Sequence, residues 1–211
     1  MYNAELFSPL AWPMTIEPND WEPHRAGGYL LNEVMRGHDM VRRGDRTLIQ
    51  DEKIYQFLNK IQKVAFTLNP FIVATSEELE RRGYKVKKFQ PIEHFDLPTK
   101  PPDIATNEVA RKDYRRRTAE VLNKQAAEFK RSCRTRMTME AVQRFKDRER
   151  FFLPWSLDYR GRAYPIPAFL TPQCTDWGKS LLMFADGSFM TPEAEGWLAF
   201  QVATCGGQDK A

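Results

Sequence analysis

The run DYRGRAYP, residues 158–165, gathers one acid, two arginines and two tyrosines around a single glycine. The residues before it, 151–157, are mostly aromatic or aliphatic, so the run is expected to leave a buried strand. Glycine has no Cβ and lets another backbone approach closely, while arginine presents a planar fork that matches phosphate. The run therefore predicts a contact with a phosphodiester backbone.

The spacing of the two arginines gives this prediction a geometry. Arg160 and Arg162 are two residues apart, so on a strand they would project from one face about 6.6 Å apart, at roughly 3.3 Å per residue. That separation is close to the spacing of successive phosphates and favours a clamp on two of them. Asp158 would lie on the same face and orient one guanidinium. The alternative interpretation is an internal Asp–Arg ion pair that pins a turn.

Positive charge is concentrated just before this run. The 211 residues carry a formal net charge of +4, yet residues 111–150 alone hold 14 Lys and Arg against 6 Asp and Glu. A basic segment in an otherwise mildly acidic chain indicates a polyanionic partner. The alternative is a helix whose charged face is only solvated.

The composition is globular, with 42% hydrophobic and 28% charged residues. No run of about 18 apolar residues is present, so no membrane span is expected. Three scattered cysteines form no CxxC pair and leave one cysteine unpaired, which favours a reduced, cytoplasmic protein. The three histidines lie far apart without ligand spacing, so no metal site is expected on them.

The order of the sequence patterns predicts an α+β protein that is mostly helical. Residues 1–50 are irregular, and residues 51–150 are largely helical. The expected elements of the second region are a helix with an apolar stripe from Ile54 to Ala65, a helix over Phe71–Arg82, a loop over 84–106, a helix of about 25 residues capped by Asn107, and another beginning at Thr138. The last two are expected to form a hairpin with one basic side.

The remaining residues, 151–211, predict strands followed by two helices. Strands are expected over 151–169 because aromatic and β-branched residues are dense there. A short helix is expected over Asp176–Ala185, with Lys179 in its first turn and directed to the same place as the arginines. Thr191 is expected to cap the last helix.

No complete catalytic centre is apparent in the sequence. The acids that follow Asp158 form no pair of carboxylates suited to two metal ions, and no P-loop, GxSxG or HExxH motif is present. From the residues alone, the chain is a basic module that engages nucleic acid, or else a structural protein with a solvated basic helix.

Three segments resemble, in order and separation, the D-x-x-G-R region of single-subunit, bacteriophage-type DNA-directed RNA polymerases, a family that includes mitochondrial enzymes. They are DYRGRAY (158–164), Pro172-Gln173 and GKSLL (178–182). Further segments fit the same family: GGY (27–29) near the end of its N-terminal domain, LPTKP (97–101) before a basic helix in its thumb, and Trp197 with CGGQDK (205–210) downstream.

The resemblance implies a domain layout and a set of contacts. The layout is the end of an N-terminal domain over 1–50, a helical thumb-like region over 51–150 and the start of a palm over 151–211. The implied nucleic-acid-binding residues, which face the template and the RNA–DNA hybrid, are Arg160, Arg162, Lys179, Asp158, Gly161 and Tyr164. Within this set, Asp158 and Gly161 shape the turn and Lys179 lies beside the same path.

The resemblance also implies a reaction, the template-dependent transfer of ribonucleotides from NTPs to growing RNA with Mg²⁺. The family's metal-binding aspartates and catalytic lysine lie in motifs beyond Ala211, so this chain is expected to hold no catalytic residue and no metal ligand. An internal piece of a monomeric polymerase, inactive alone and cytoplasmic (in the host if phage-encoded), is therefore expected. The alternative is a non-catalytic nucleic-acid-binding module.

Overall fold

The computed structural model describes residues 11–31, 38–42 and 50–208. Over these residues the chain is an α+β protein that is mostly helical, as predicted. The described helices are α1 (Glu52–Gln62), α2 (Pro70–Arg81), α3 (Glu108–Phe145), α4 (Asp176–Ser180) and α5 (Pro192–Cys205). The strands are β1 (Ala65–Leu68), β2 (Phe151–Phe152), β3 (Trp155–Leu157), β4 (Ala163–Pro165) and β5 (Leu182–Phe184).

Local signals fix the ends of the first two helices. Asp51 caps α1 by accepting a hydrogen bond from the backbone N–H of Lys53. Asn69 caps α2, Pro70 occupies its first turn, and Gly83 follows it with a positive φ of 68°. The predicted helix over Phe71–Arg82 is thus confirmed within one residue.

A strand lies where the apolar stripe of the first helix was expected to continue. The helix α1 ends at Gln62, and Ala65 already belongs to β1. β1 is the central strand of an antiparallel sheet in the order β2-β1-β5. The ring of Phe66 stacks between those of Phe151 and Phe184, with centroid distances of 6.3 and 5.6 Å. Pairing on both edges therefore overrides a helical pattern that ran on through Ala65.

The same sheet shortens the helix expected over Asp176–Ala185. α4 ends at Ser180, and the next residues form β5, which pairs with β1 in the register Phe66↔Phe184 and Leu68↔Leu182. The backbone N–H of Ala185 also donates to the carbonyl of Ala65 at 3.0 Å. Residues 182–184 also suit a helix, but they form a strand because the edge of β1 offers backbone groups with which they form hydrogen bonds.

The expected helical hairpin is wrong, because α3 is one continuous helix of 38 residues. At about 1.5 Å per residue it is roughly 57 Å long. It contains no glycine or proline, and the hydroxyl of Thr138, the residue where a second helix was expected to begin, donates to the carbonyl of Arg134 at 2.8 Å. A threonine that bonds back within its own helix does not interrupt it.

Only the second part of α3 enters the core. Residues 108–127 contain no buried side chain, whereas Ala141, Val142 and Phe145 are buried in the hydrophobic core, where the ring of Phe145 lies 5.3 Å from that of Phe151 in β2. Phe151, Leu153, Leu170 and Leu181 complete the fully buried centre. The N-terminal segment joins this core through Trp21, whose indole N–H donates to the carbonyl of Trp155 at 3.0 Å.

The predicted loop over 84–106 has neither helix nor strand, but it is packed along α3. We call residues 84–95 the strap. Its backbone N–H groups at Gln90 and Phe95 donate to the side chains of Thr135 and Gln125 of α3. Lys85 forms an ion pair with the buried Glu128 at 2.7 Å. The strap thereby holds the long helix along part of its length.

The irregular conformation expected for residues 1–50 is found in the described part of that region. Residues 11–31 form isolated bridges, including Asn19↔Gly28, and pack on the core. The remainder of that expectation, over 1–10, 32–37 and 43–49, lies outside the described residues, as does the end of the segment CGGQDK. No helix in the described ranges is long and apolar enough to cross a bilayer.

Candidate nucleic-acid interface

Residues 155–165, which contain the run DYRGRAYP, form a hairpin. β3 and β4 are antiparallel, with Trp155 opposite Pro165 and Leu157 opposite Ala163. All of β3 is buried, which confirms that the run leaves a buried strand. Residues 158–162, which we call the hairpin loop, connect the two strands. The two arginines therefore lie in a loop, and the expectation that they project from one face of a strand is wrong.

Asp158 holds the hairpin loop together. Its Oδ1 accepts hydrogen bonds from the backbone N–H groups of both Arg160 and Arg162, each at 2.9 Å. Its own backbone N–H donates to the carbonyl of Arg162, and its carbonyl accepts from Gly161. Gly161 has a φ of 80°, a left-handed conformation that glycine adopts without strain. Asp158 and Gly161 thus shape the turn.

Arg160 is paired with the same carboxylate. Its Nε and one terminal nitrogen donate to Asp158 Oδ2 at 3.0 and 2.9 Å. Burial raises the pKa of Asp158, but the hydrogen bonds from Arg162 and Arg160 outweigh it and lower that pKa below its ordinary value. The alternative of an internal ion pair that pins a turn thus describes Arg160.

Arg162 differs from Arg160. Its side chain is exposed and makes no hydrogen bond or ion pair with any residue that the structure describes. Its backbone is fixed at both ends, because its N–H donates to Asp158 Oδ1 and its carbonyl accepts from Asp158 N. The loop therefore carries one guanidinium that Asp158 neutralises and one that has no charged partner among the described residues.

Tyr164 lies at the base of the loop, half-buried in β4. The guanidinium carbon of Arg42 lies 5.6 Å from the centre of its ring. Arg42 also bonds both strands of the hairpin through its side chain. Sequence reasoning missed Arg42 because it is more than 100 residues from the hairpin and belongs to no recognisable motif.

The exposed part of α3 carries the concentrated positive charge. Arg116 and Arg117 both pair with Asp113, so part of that charge is neutralised on the helix itself. Arg115, Lys124, Lys130 and Arg134 have no ion pair with a described residue. At about 100° per residue, Arg115, Lys130 and Arg134 lie within about 100° of one another, on the side away from the strap, whereas Lys124 lies about 180° from Arg115, beside the strap face. The cations without a described ion pair therefore do not all share one side of the helix, and the single basic side expected of this region stays a prediction.

Several known proteins are similar in sequence to this chain. No protein-family model matches it. It is 29% identical over 212 residues both to the DNA-directed RNA polymerase of Enterobacteria phage T3 and to T7 RNA polymerase of Escherichia phage T7, which covers 96% of this chain. It is also 24% identical over 208 residues to DNA-directed RNA polymerase 1, mitochondrial, of Arabidopsis thaliana, which covers 94% of the chain.

Its homologues are single-subunit DNA-directed RNA polymerases. The chain spans 24% of the length of the T3 and T7 polymerases and 21% of the Arabidopsis one. The similarity therefore covers nearly all of this chain and about a quarter of each phage polymerase.

Lys179, which the polymerase resemblance placed beside the nucleic-acid path, lies in the five-residue helix α4. Its Nζ is 3.7 Å from Asp176 Oδ1, a loose contact between two exposed side chains. The helix is packed closely, because a Cβ on Gly178 would lie 2.8 Å from the Cβ of Cys174. The structure shows no hydrogen bond or ion pair between Lys179 and the hairpin loop, so its share in one site with Arg162 stays a prediction.

The polymerase resemblance also implies Mg²⁺. Within residues 11–31, 38–42 and 50–208, no group of three or more His, Cys, Asp or Glu side chains is arranged to hold a metal ion. The described residues therefore do not fit a Mg²⁺ site.

Proposed function

We propose that this chain is part of the nucleic-acid grip of a single-subunit DNA-directed RNA polymerase. The observation that carries the proposal is the hairpin loop, which fixes the backbone of Arg162 while its guanidinium has no partner among the residues that the structure describes. A phosphate offers the two oxygens that such a fork recognises. The similarity to phage polymerases over 96% of the chain supports the same conclusion.

The individual contacts follow from the charges around the loop. Arg162 binds a backbone phosphate of the template or of the RNA–DNA hybrid. Arg160 and Asp158 hold the loop in shape, since their charges neutralise each other. Lys179 and the unpaired cations of α3 bind neighbouring phosphates as point charges. Tyr164 supports the loop from its base.

The reaction belongs to the whole polymerase. We propose template-dependent transfer of ribonucleotides from NTPs to RNA, with Mg²⁺ bound by residues outside those described. The protein acts as a monomer, in the host cytoplasm if a phage encodes it. We propose with it a domain layout of the end of an N-terminal domain over 1–50, a thumb-like region over 51–150 and the start of a palm over 151–211.

The phosphate contact is tested by measuring how the binding of the full chain to an RNA–DNA hybrid depends on salt. Arg162→Ala is expected to weaken binding and to reduce the slope of log K against log salt by roughly 1, because one phosphate contact is lost. Arg81→Ala is the matched control, since Arg81 is exposed but paired with Glu78 on α2. Equal slopes for the Arg162→Ala variant and the unmodified chain would contradict the proposal.

An RNA synthesis assay tests whether this chain binds nucleic acid without catalysing the reaction. The 211-residue chain is expected to bind the hybrid without extending RNA on a DNA template with NTPs and Mg²⁺. Extension by this chain, freed of any contaminating polymerase, would show that the catalytic residues lie within it.

A further inference from the structure

The hairpin is bonded along one edge to a segment from far upstream. The backbone N–H of Arg42 donates to the carbonyl of Leu157 at 2.8 Å, and the N–H of Leu157 donates to the carbonyl of Met40 at 2.7 Å. Val41 and Leu157 form the corresponding parallel bridge. Residues 40–42 thus extend the hairpin sheet beside β3, immediately before Asp158 and the hairpin loop.

The side chain of Arg42 then reaches across both strands. Its Nε donates to the hydroxyl of Ser156 in β3 at 3.1 Å, and one terminal nitrogen donates to the carbonyl of Pro165 in β4 at 2.9 Å. Its guanidinium carbon lies 5.6 Å from the ring centre of Tyr164, which is the register partner of Ser156. One planar group therefore joins β3 to β4 at the base of the loop.

We propose that Arg42 is a positioning residue for the phosphate contact of Arg162. This inference rests on the proposed function. Arg162 immediately precedes β4, so the relative position of the two strands sets where its guanidinium points. Arg42 fixes that position through two acceptors, Ser156 on one strand and Pro165 on the other. A lysine has a single ammonium on a flexible stem and does not reproduce a planar fork.

A direct role for Arg42 makes different predictions. The Arg42 side chain is exposed, so a phosphate contact of its own is the competing explanation. A direct contact contributes to the salt dependence of binding, and lysine would largely preserve it, because a phosphate accepts an ammonium as well. A positioning role contributes to affinity without changing the number of phosphates neutralised.

The test measures binding of the full chain to an RNA–DNA hybrid over a series of salt concentrations. The variants are Arg42→Ala, Arg42→Lys, Arg162→Ala and the double Arg42→Ala/Arg162→Ala. Arg42→Ala is expected to weaken binding roughly fivefold or more, as for the loss of hydrogen bonds to a charged group, with an unchanged salt slope. Arg42→Lys is expected to weaken binding similarly. In the Arg162→Ala background, Arg42→Ala is expected to add little.

A lower salt slope for Arg42→Ala, full rescue by lysine, or additive losses in the double variant would overturn the inference. Thermal unfolding shows whether Arg42→Ala is folded. If it is not, Ser156→Ala tests the same bridge, because it keeps Arg42 and removes one of its acceptors. Ser156→Ala is expected to weaken binding with the slope unchanged, and wild-type affinity would overturn the bridge.

If Arg162→Ala weakens binding while the Arg42 and Ser156 variants do not, only this inference fails. If Arg162→Ala has no effect, the proposed function fails and this inference with it.

Discussion

The carboxylate of Asp158 accepts hydrogen bonds from both the backbone and the side chain of Arg160. Oδ1 accepts from the backbone N–H of Arg160 at 2.9 Å, while Oδ2 accepts from two nitrogens of its guanidinium. The two arginines of the D-x-x-G-R run consequently differ in their pairing. Arg160 balances the charge of the acid that shapes the loop, whereas the guanidinium of Arg162 has no ion pair with a described residue.

Removing the acid should loosen the loop. In Asp158→Ala, the backbone N–H groups of Arg160 and Arg162 lose their acceptor, and their hydrogen exchange is expected to become roughly fivefold faster or more. Asp158→Asn is the matched variant, since its amide oxygen still accepts from both N–H groups. Exchange rates in Asp158→Ala equal to those of the unmodified chain would show that this carboxylate does not hold the turn.

The loop should be insensitive to pH near neutrality. Because the pKa of Asp158 is lowered in the folded chain, its stabilising contribution is complete above the ordinary carboxyl pKa of 3.8 and is lost as the pH falls through the lowered value. Protection of the Arg160 and Arg162 amides, corrected for intrinsic exchange, is expected to be constant from about pH 5 to pH 8. A loss of protection between pH 5 and 7 would mean that the carboxylate is not paired as described.

The strap should contribute strongly to stability through one aromatic side chain. Phe89 is 2% exposed and packs edge-on against Trp177, with ring centroids 4.8 Å apart, while Trp177 donates to the hydroxyl of Ser76. Phe89→Ala is expected to lower the free energy of unfolding by about 3–5 kcal/mol, measured by urea titration. Phe71→Ala, at a side chain that is 74% exposed, is expected to change it by about 0.5 kcal/mol or less. Similar losses in both variants would show that the strap is not packed in this way.

The last helix should bind hydrophobic dyes. α5 has no buried residue, yet Trp197, Leu198, Phe200 and Val202 are apolar and exposed on several of its sides. Leu198→Glu with Phe200→Glu is expected to reduce dye fluorescence and raise solubility while changing stability little. Leu181→Ala, in the buried core, is the contrasting control and is expected to destabilise by about 2–5 kcal/mol. Unfolding caused by the α5 substitutions would show that this helix is packed in solution.

The predictable parts of the fold were those with local causes. Asn107 and Thr191 cap the helices that the sequence assigned to them, since a cap depends on residues two or three positions away. The strands β1 and β5 were missed because each depends on a partner more than 80 residues away. The break in α3 was predicted from a threonine whose hydroxyl is in fact satisfied inside the helix.

The candidate site was predicted in composition but not in arrangement. The run 158–165 does leave a buried strand, yet two arginines at a spacing of two have one geometry on a strand and another in a loop. Gly161 was the available signal, because glycine between polar residues also favours a turn with positive φ. The bridge made by Arg42 had no such signal, since its partners Ser156 and Pro165 meet it only in the folded chain.

Because α3 is one unbroken helix, a small tilt at its buried end produces a larger displacement at its exposed end. Its later turns are fixed in the core, whereas residues 108–127 carry no buried side chain. That arm is about 30 Å long at about 1.5 Å per residue, so a tilt of about 5° at the core displaces its tip by about 2.6 Å. A repacked side chain beside Val142 would thus shift the outermost cations by a large fraction of the distance between neighbouring phosphates.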